Sequence, residues 1–210
     1  MTIGIIGSGN VGGTLGTRWA RAGHDIIYGT RNPQADDIQQ LLSQAGGKAR
    51  AATLKETARA GDALLLAMPW KVIQSVLEGL GDLTGKVLID ATNPLLADLS
   101  GLDIGTTSSA GEKVAGWARG AKVVKAFNTI GANIMANTSF GSEKPALCYC
   151  GDDTEAKQIV KQLAEEIDFE PLDVGPLTQA RLLEPFALLW ISMALKYGYT
   201  RDIAFRLLRR

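Results

Sequence analysis

The residues of this chain best suited to chemistry begin with a glycine-rich turn near its start. Its six residues have the spacing Gly-x-Gly-x-x-Gly: Gly7, Ser8, Gly9, Asn10, Val11 and Gly12. In this pattern the first glycine permits a tight turn, the second lets backbone approach a pyrophosphate, and the third lets a helix lie close to the preceding strand. The turn therefore predicts a dinucleotide site, with the phosphates at the positive end of the helix that follows.

The end of the second predicted strand indicates which dinucleotide to expect. An Asp or Glu at this position usually holds a free ribose 2'-hydroxyl, and its charge would repel a 2'-phosphate. Here the strand ends in Thr30, Arg31 and Asn32, with no acid. Because a hydroxyl and a guanidinium both suit phosphate oxygens, the pattern favours NADP(H) over NAD(H). The alternative is that Arg31 is a solvated loop arginine.

The other candidate residues follow later strands, since ligands of a doubly wound sheet bind beyond the carboxyl ends of its strands. They are mostly amides, prolines and apolar side chains: Met68, Pro69, Trp70, Asn93, Pro94, Asn128, Thr129 and Ile130. Such residues can position two flat rings. Only Lys125, just inside its strand, offers a proton donor, and we predict no catalytic residue. The structural alternative is that the prolines end strands and Asn93 forms a turn.

An alternation of short strands and amphipathic helices must position these residues. Strands are predicted at Ile3 to Ile6, Asp25 to Gly29, Ala63 to Ala67, Val87 to Ile89, Lys122 to Ala126, Pro145 to Cys150 and Phe169 to Val174. Helix-capping patterns occur at Thr53–Glu56 and Ser109–Glu112. The alternation predicts an α/β fold, a doubly wound Rossmann-type mostly parallel sheet with a small C-terminal helical part. Residues 1–176 form the expected NADP-binding domain, and residues 177–210 form a helical segment that packs on it or on a second subunit.

Composition argues against several kinds of partner. The 22 Lys and Arg residues balance the 22 Asp and Glu residues, so nothing suggests nucleic acid. The longest apolar run, Pro185 to Leu195, is about half of what a bilayer crossing requires, so no membrane partner is expected. The chain enters its first strand at once and leaves no room for a signal sequence, which predicts a cytoplasmic protein. With one histidine and two cysteines, no metal site is predicted.

Over essentially its full length the chain resembles the NADPH-dependent coenzyme F-420 reductases of the deazaflavin-linked oxidoreductase family. The resemblance rests on the glycine turn, Thr30-Arg31, Pro69-Trp70, Gly151-Asp152-Asp153, and the segment Asp173 to Leu177 with Arg181, Leu182 and Glu184. It implies a homodimer that transfers a hydride directly between NADPH and a stacked deazaflavin. It also implies roles for residues.

By this resemblance, the glycine turn holds the pyrophosphate, and Thr30 and Arg31 hold the 2'-phosphate. Pro69 and Trp70 lie beside the nicotinamide. The loop from Asn128 to Ile130, together with Arg181, flanks the second ring. A structural alternative for Arg181 is a pair with Glu184 on one helix face.

Two stretches are more similar to another family. Asp90-Ala91-Thr92-Asn93-Pro94 and Val124-Lys125-Ala126-Phe127-Asn128 resemble the cytosolic reductase domain of the six-transmembrane epithelial antigen metalloreductases, which use NADPH to reduce a flavin. The acceptor is therefore coenzyme F-420, FMN or FAD. Two rival hypotheses stay open: an NADPH-dependent reductase of imines or 2-keto acids, favoured if Lys125 donates a proton, and a non-catalytic NADP-binding module.

Overall fold

One sheet of eight strands forms the centre of the computed structural model, which describes all 210 residues. The strands are β1 (Thr2–Ile6), β2 (Asp25–Gly29), β3 (Ala49–Ala52), β4 (Ala63–Leu66), β5 (Val87–Asp90), β6 (Lys122–Lys125), β7 (Ala146–Gly151) and β8 (Glu170–Asp173). Their spatial order is β3-β2-β1-β4-β5-β6-β7-β8. Every neighbouring pair is parallel except β6 and β7. The predicted doubly wound, mostly parallel sheet is confirmed.

Eight α-helices connect and cover the strands. They are α1 (Asn10–Arg21), α2 (Asp36–Gln44), α3 (Leu54–Ala60), α4 (Ile73–Leu80), α5 (Ala110–Trp117), α6 (Ala132–Ala136), α7 (Thr154–Glu165) and α8 (Ala180–Lys196). Single 3-10 turns precede α4 and α8. No helix is both long and apolar enough to span a bilayer.

The sheet buries both of its faces, as its sequence pattern predicts. All four residues of β4 are buried, and Leu65 belongs to a core cluster of 25 residues on one face. Leu64 and Leu66 belong to a cluster of 16 residues on the other face. Continuous apolar runs are typical of parallel strands that helices cover on both sides.

Side-chain caps begin two of the helices where the sequence predicts them. The Thr53 side chain accepts a hydrogen bond from the Glu56 amide, and the Glu56 carboxylate accepts one from the Thr53 amide. The Ser109 side chain caps α5 by accepting from the Glu112 amide. Such caps satisfy amides that have no partner within the helix.

The C-terminal segment is helical over a shorter range than expected. Helix α8 ends at Lys196, followed by Gly198 at φ +77°, and residues 199–210 form no helix. The tail instead runs back to the sheet, where the Ala146 amide donates to the Phe205 carbonyl. Only the last two residues of β7 pair with β6, which leaves the start of β7 unpaired on that side. The tail covers part of this free edge of β7.

Candidate functional site

The glycine turn has the geometry that its spacing predicts. Gly7 adopts φ +109°, a conformation that other residues rarely adopt. A Cβ atom added at Gly12 would lie 1.9 Å from the Gly7 carbonyl oxygen, so only glycine lets α1 pack this close to β1. Two of the three glycines are therefore required by the fold itself.

Gly9 differs from these two, because nothing lies within 4 Å of the position its Cβ would occupy. Gly9 is also the N-cap of α1, it supplies no side-chain cap, and the first turn of α1 contains no acid. The first amides of α1 are thus free to donate, and Gly9 and Asn10 are exposed. This open cradle at a helix N-terminus fits a pyrophosphate.

The end of β2 lies beside this cradle, because β2 is the parallel neighbour of β1. The Thr30 hydroxyl accepts a hydrogen bond of 3.1 Å from the Asn32 amide, which shapes the turn after the strand. Arg31 is exposed and has no hydrogen-bond or salt-bridge partner in the structure. A free guanidinium at this point fits a ribose 2'-phosphate.

Met68, Pro69 and Trp70 follow β4, and the first of them contacts the glycine turn. A Cβ added at Gly7 would lie 2.6 Å from the Met68 Cγ atom, so this side chain packs against the turn. The Trp70 indole packs on Trp117, with ring centroids 5.4 Å apart, and donates a hydrogen bond of 2.9 Å to Asp103. Its orientation is therefore held from two sides.

The predicted amides at the ends of β5 and β6 bind each other. Asn93 Nδ2 donates to the Asn128 carbonyl oxygen at 2.8 Å, and Asn128 Nδ2 donates to Asn93 Oδ1 at 3.0 Å. Asn128 Nδ2 also donates to the Leu183 carbonyl of α8, whereas Asn128 Oδ1 is buried without a partner. The buried residues Pro94 and Thr129 flank this pair, and Ile130 is half-buried.

Lys125 lies in a buried ionic cluster rather than at an open site. Its Nζ atom donates to Asp90 and Glu184, both at 2.9 Å, and to the Thr92 carbonyl at 2.6 Å. Lys125 and Asp90 are completely buried and Glu184 is 1% exposed. Burial alone would lower the pKa of Lys125, but the two carboxylates outweigh it and hold the pKa above its ordinary value. The ammonium therefore has no surface open to a substrate in this structure.

Arg181 lies on α8 with a carboxylate partner from α5. It donates to both Glu112 oxygens, at 2.9 and 2.6 Å. The alternative pairing with Glu184 is wrong, because the carboxylate of Glu184 binds Lys125 and the amides of Ala110 and Gly111. The position of Arg181 beside a second ring stays a prediction.

A crevice of about 540 Å³ extends from the start of α1 towards α8. Sequence reasoning missed most of its walls: Leu95, Leu99, Gly131, Ala132, Asn133, Ala136, Trp190, Ile191, Leu195 and Arg201. Only Asn10 comes from the predicted site, and no local pattern marks the rest. A larger cavity of about 690 Å³ is lined mainly by polar and charged residues that include Arg21 and Lys144, and none of its lining residues belongs to the predicted site.

Comparison with known proteins agrees with this geometry. Residues 2–94 match the family described as NADP oxidoreductase coenzyme F420-dependent. The chain is 30% identical to an F420-dependent NADP reductase of Methanothermobacter marburgensis over 214 residues, which cover 93% of both proteins. It is 32% identical over 189 residues to the metalloreductase STEAP3 of Rattus norvegicus, but spans only 36% of that protein.

Solved structures give the same result. A protein from Arthrobacter sp. FB24, assigned as an F420-dependent NADP reductase, superposes with a TM-score of 0.88 at 28% identity over 99% of both chains. A reductive aminase from Aspergillus terreus shares the fold, with a TM-score of 0.66 at 22% identity over 94% of this chain and 62% of that chain. The glycine turn, the acid-free end of β2 and the match with 93% of the Methanothermobacter reductase lead to one conclusion: the chain belongs to the family of coenzyme F420-dependent NADP oxidoreductases.

Proposed function

We propose that the protein transfers a hydride between NADPH and a ring acceptor of the deazaflavin or flavin class, namely coenzyme F-420, FMN or FAD. The observation that carries this proposal is the open cradle at Gly9 next to the unpaired guanidinium of Arg31. These two features follow the carboxyl ends of the adjacent parallel strands β1 and β2, and they suit a pyrophosphate and a 2'-phosphate.

The residues act mainly by positioning. NADPH, when bound, supplies the hydride from its nicotinamide ring. The amides of α1 hold the pyrophosphate, Arg31 holds the 2'-phosphate, and Met68, Pro69 and Trp70 form the wall beside the nicotinamide. The Asn93–Asn128 pair closes the site between β5 and β6. Rings stacked at about 3–3.5 Å are already close to the transition state, so this wall needs no acid or base.

The rival hypothesis of an imine or 2-keto acid reductase would be favoured by a proton donor at Lys125. Its complete burial between two carboxylates argues against that role. The similarity to the reductive aminase reflects the fold. The preferred acceptor is accordingly one that can take its proton from solvent.

The test is anaerobic spectrophotometry of the full chain with NADPH and each of F-420, FMN and FAD. We expect acceptor-dependent loss of NADPH absorbance with at least one of the three. Tight NADPH binding without turnover by any acceptor would instead support a non-catalytic module.

The cofactor assignment is tested separately with two arginine variants. Arg31→Ala should raise the KM for NADPH about tenfold to one-hundredfold, the value of one or two charge-assisted hydrogen bonds, and leave the KM for NADH unchanged. The control is Arg119→Ala. This exposed arginine precedes β6, so it lies at the amino ends of the parallel strands, whereas Arg31 lies at their carboxyl ends. Equal effects of Arg31→Ala on both nucleotides would refute the 2'-phosphate site.

We infer that the protein forms a homodimer through α8. Leu182 is 67% exposed and Leu189 is 52% exposed on this helix, which leaves an apolar surface for a second copy. The molar mass from light scattering should be that of a dimer, and Leu189→Glu should shift it to the monomer. A monomeric wild-type protein would contradict the inference.

A further inference from the structure

The crevice that includes Asn10 lies beside the glycine turn. Its lining includes Asn10 and Thr14 of α1 and Trp190 and Ile191 of α8. Its volume of about 540 Å³ falls within the range of small-molecule sites, roughly 300–1,000 Å³. Because Asn10 belongs to the proposed pyrophosphate cradle, the crevice is continuous with the dinucleotide site and suits the second substrate.

Arg201 is the only charged residue among those that line this crevice. It has no carboxylate partner, unlike two other arginines of the C-terminal region: Arg181 binds Glu112, and Arg206 binds Glu143. The neighbouring Asp202 forms no salt bridge with it, and its Oδ1 accepts a hydrogen bond of 3.0 Å from Asn133 Nδ2. A guanidinium beside apolar walls is thus left free for an anion.

Two side chains, one from α6 and one from α8, hold the backbone at Arg201 and just after it. Asn133 Nδ2 of α6 also donates to the Arg201 carbonyl at 2.9 Å. Two residues later, the Ile203 carbonyl accepts a hydrogen bond of 2.9 Å from the Trp190 indole. The tail therefore presents Arg201 at the crevice from a fixed backbone, which reduces the entropy lost when a ligand binds.

We propose that Arg201 binds the anionic side chain of the ring acceptor, a phosphate or carboxylate group, while the ring lies between Trp190 and the leucines at 95 and 99. This inference rests on the proposed function. A planar guanidinium binds phosphate or carboxylate oxygens with two parallel hydrogen bonds. The apolar walls suit an uncharged flat ring and provide no other charged partner for an anion. The free guanidinium would therefore make the protein prefer acceptors that carry an anionic group.

Riboflavin and FMN are the matched probes, because they share one ring system and differ only by a phosphate. With saturating NADPH, Arg201→Ala should raise the KM for FMN about tenfold and leave the KM for riboflavin unchanged. Arg201→Lys, which keeps the charge but loses the planar fork, should give an intermediate value. Arg209→Ala, an exposed arginine later in the same tail, is the control and should change neither KM.

Binding of the two flavins is measured in parallel by quenching of flavin fluorescence with NADP⁺ present. This readout does not need turnover, so a failure of the proposed hydride transfer stays separate from a failure of this inference. Equal weakening of riboflavin and FMN by Arg201→Ala would overturn the inference, and so would an increase in the KM for NADPH, which would assign Arg201 to the pyrophosphate. An unchanged affinity for FMN would overturn it as well.

Discussion

Replacing Lys125 by methionine is the sharpest test of the ionic cluster under the site. Methionine keeps a side chain of similar length but removes the Nζ atom, so Asp90 and Glu184 lose their shared cation while 0% and 1% exposed. Breaking a buried ion pair on one side costs about 3–5 kcal/mol. For a chain of this size each kcal/mol lowers Tm by about 2–4 °C, so we expect a decrease of about 6–20 °C.

Urea unfolding followed by circular dichroism measures this free energy. Lys122→Met is the matched control, because Lys122 forms surface salt bridges with Asp153 and Glu155 and its side chain is 34% exposed. It should cost less than about 1 kcal/mol. A loss at Lys125 as small as that at Lys122 would refute the reasoning.

A second variant separates charge from packing. Adding Asp90→Asn and Glu184→Gln to Lys125→Met removes both carboxylate charges while nearly keeping the volume of the cluster. If the loss comes from uncompensated buried charge, this triple variant should be more stable than Lys125→Met alone. A triple variant less stable than the single one would show that hydrogen bonds of the carboxylates, and not their charges, dominate.

The same cluster predicts the alkaline limit of stability. The pKa of Lys125 is raised above 10.5, because the carboxylates outweigh the effect of burial. A group with a raised folded pKa stabilises the protein fully below its unfolded pKa and loses that contribution as pH rises through the folded value. The wild type should therefore lose stability above about pH 10.5 more steeply than Lys125→Met.

Three further outcomes follow from single contacts. Gly12→Ala places a Cβ atom 1.9 Å from the Gly7 carbonyl and should prevent folding in a thermal-shift assay, whereas Gly9→Ala should keep Tm and weaken NADPH binding. The Arg181 guanidinium, with Ser109, lowers the pKa of Glu112 below 4.5. A carboxylate with a lowered pKa stabilises the folded state above its unfolded pKa, and this contribution is lost as pH falls through the folded pKa. Glu112→Gln should therefore make the stability measured in urea depend less on pH on the acid side. Burial raises the pKa of Cys150 to about 12, so mass spectrometry should find this thiol unlabelled in the native protein and labelled in urea.

The central strands could be predicted from sequence because each is a short apolar run that is buried on both faces of the sheet. Strand β3 and helix α6 could not. β3 carries Arg50 and three alanines at the edge of the sheet, and its pattern is too weak to distinguish a strand from a loop. α6 has five residues, which is shorter than any periodic signal.

The glycine turn could be predicted because its chemistry is local, confined to consecutive residues after one strand. The Asn93–Asn128 contact could be anticipated only as proximity, since parallel strands bring their ends to one edge. The contact of Lys125 with Glu184 and the place of Arg201 depend on α8 and the tail returning to the sheet. Gly198, with φ +77°, is the one local signal that α8 ends early, because glycine after a helix often adopts this conformation.

The Asn93–Asn128 pair and the ionic cluster of Lys125, at the ends of β5 and β6, both bind helix α8. Asn128 donates to the carbonyl of Leu183, and Lys125 binds the side chain of the next residue, Glu184. Two adjacent residues of α8 are therefore fixed to the sheet where the nicotinamide is proposed to lie. Since Trp190 lies on the same helix, its distance from the dinucleotide site is fixed by these contacts.

The backbone between these two clusters is strained at Phe127. Phe127 adopts φ +63°, a conformation that costs a bulky residue about 1–3 kcal/mol. Its ring packs edge-on against Trp19 and Phe169, with centroids 5.7 and 6.2 Å apart, and its burial offsets that cost. Phe127 lies between Lys125 of the ionic cluster and Asn128 of the amide pair. Because the core holds the Phe127 ring, the backbone keeps Asn128 in one position. For the proposed hydride transfer between stacked rings, a fixed distance would matter more than a proton donor, and these contacts would help to fix that distance.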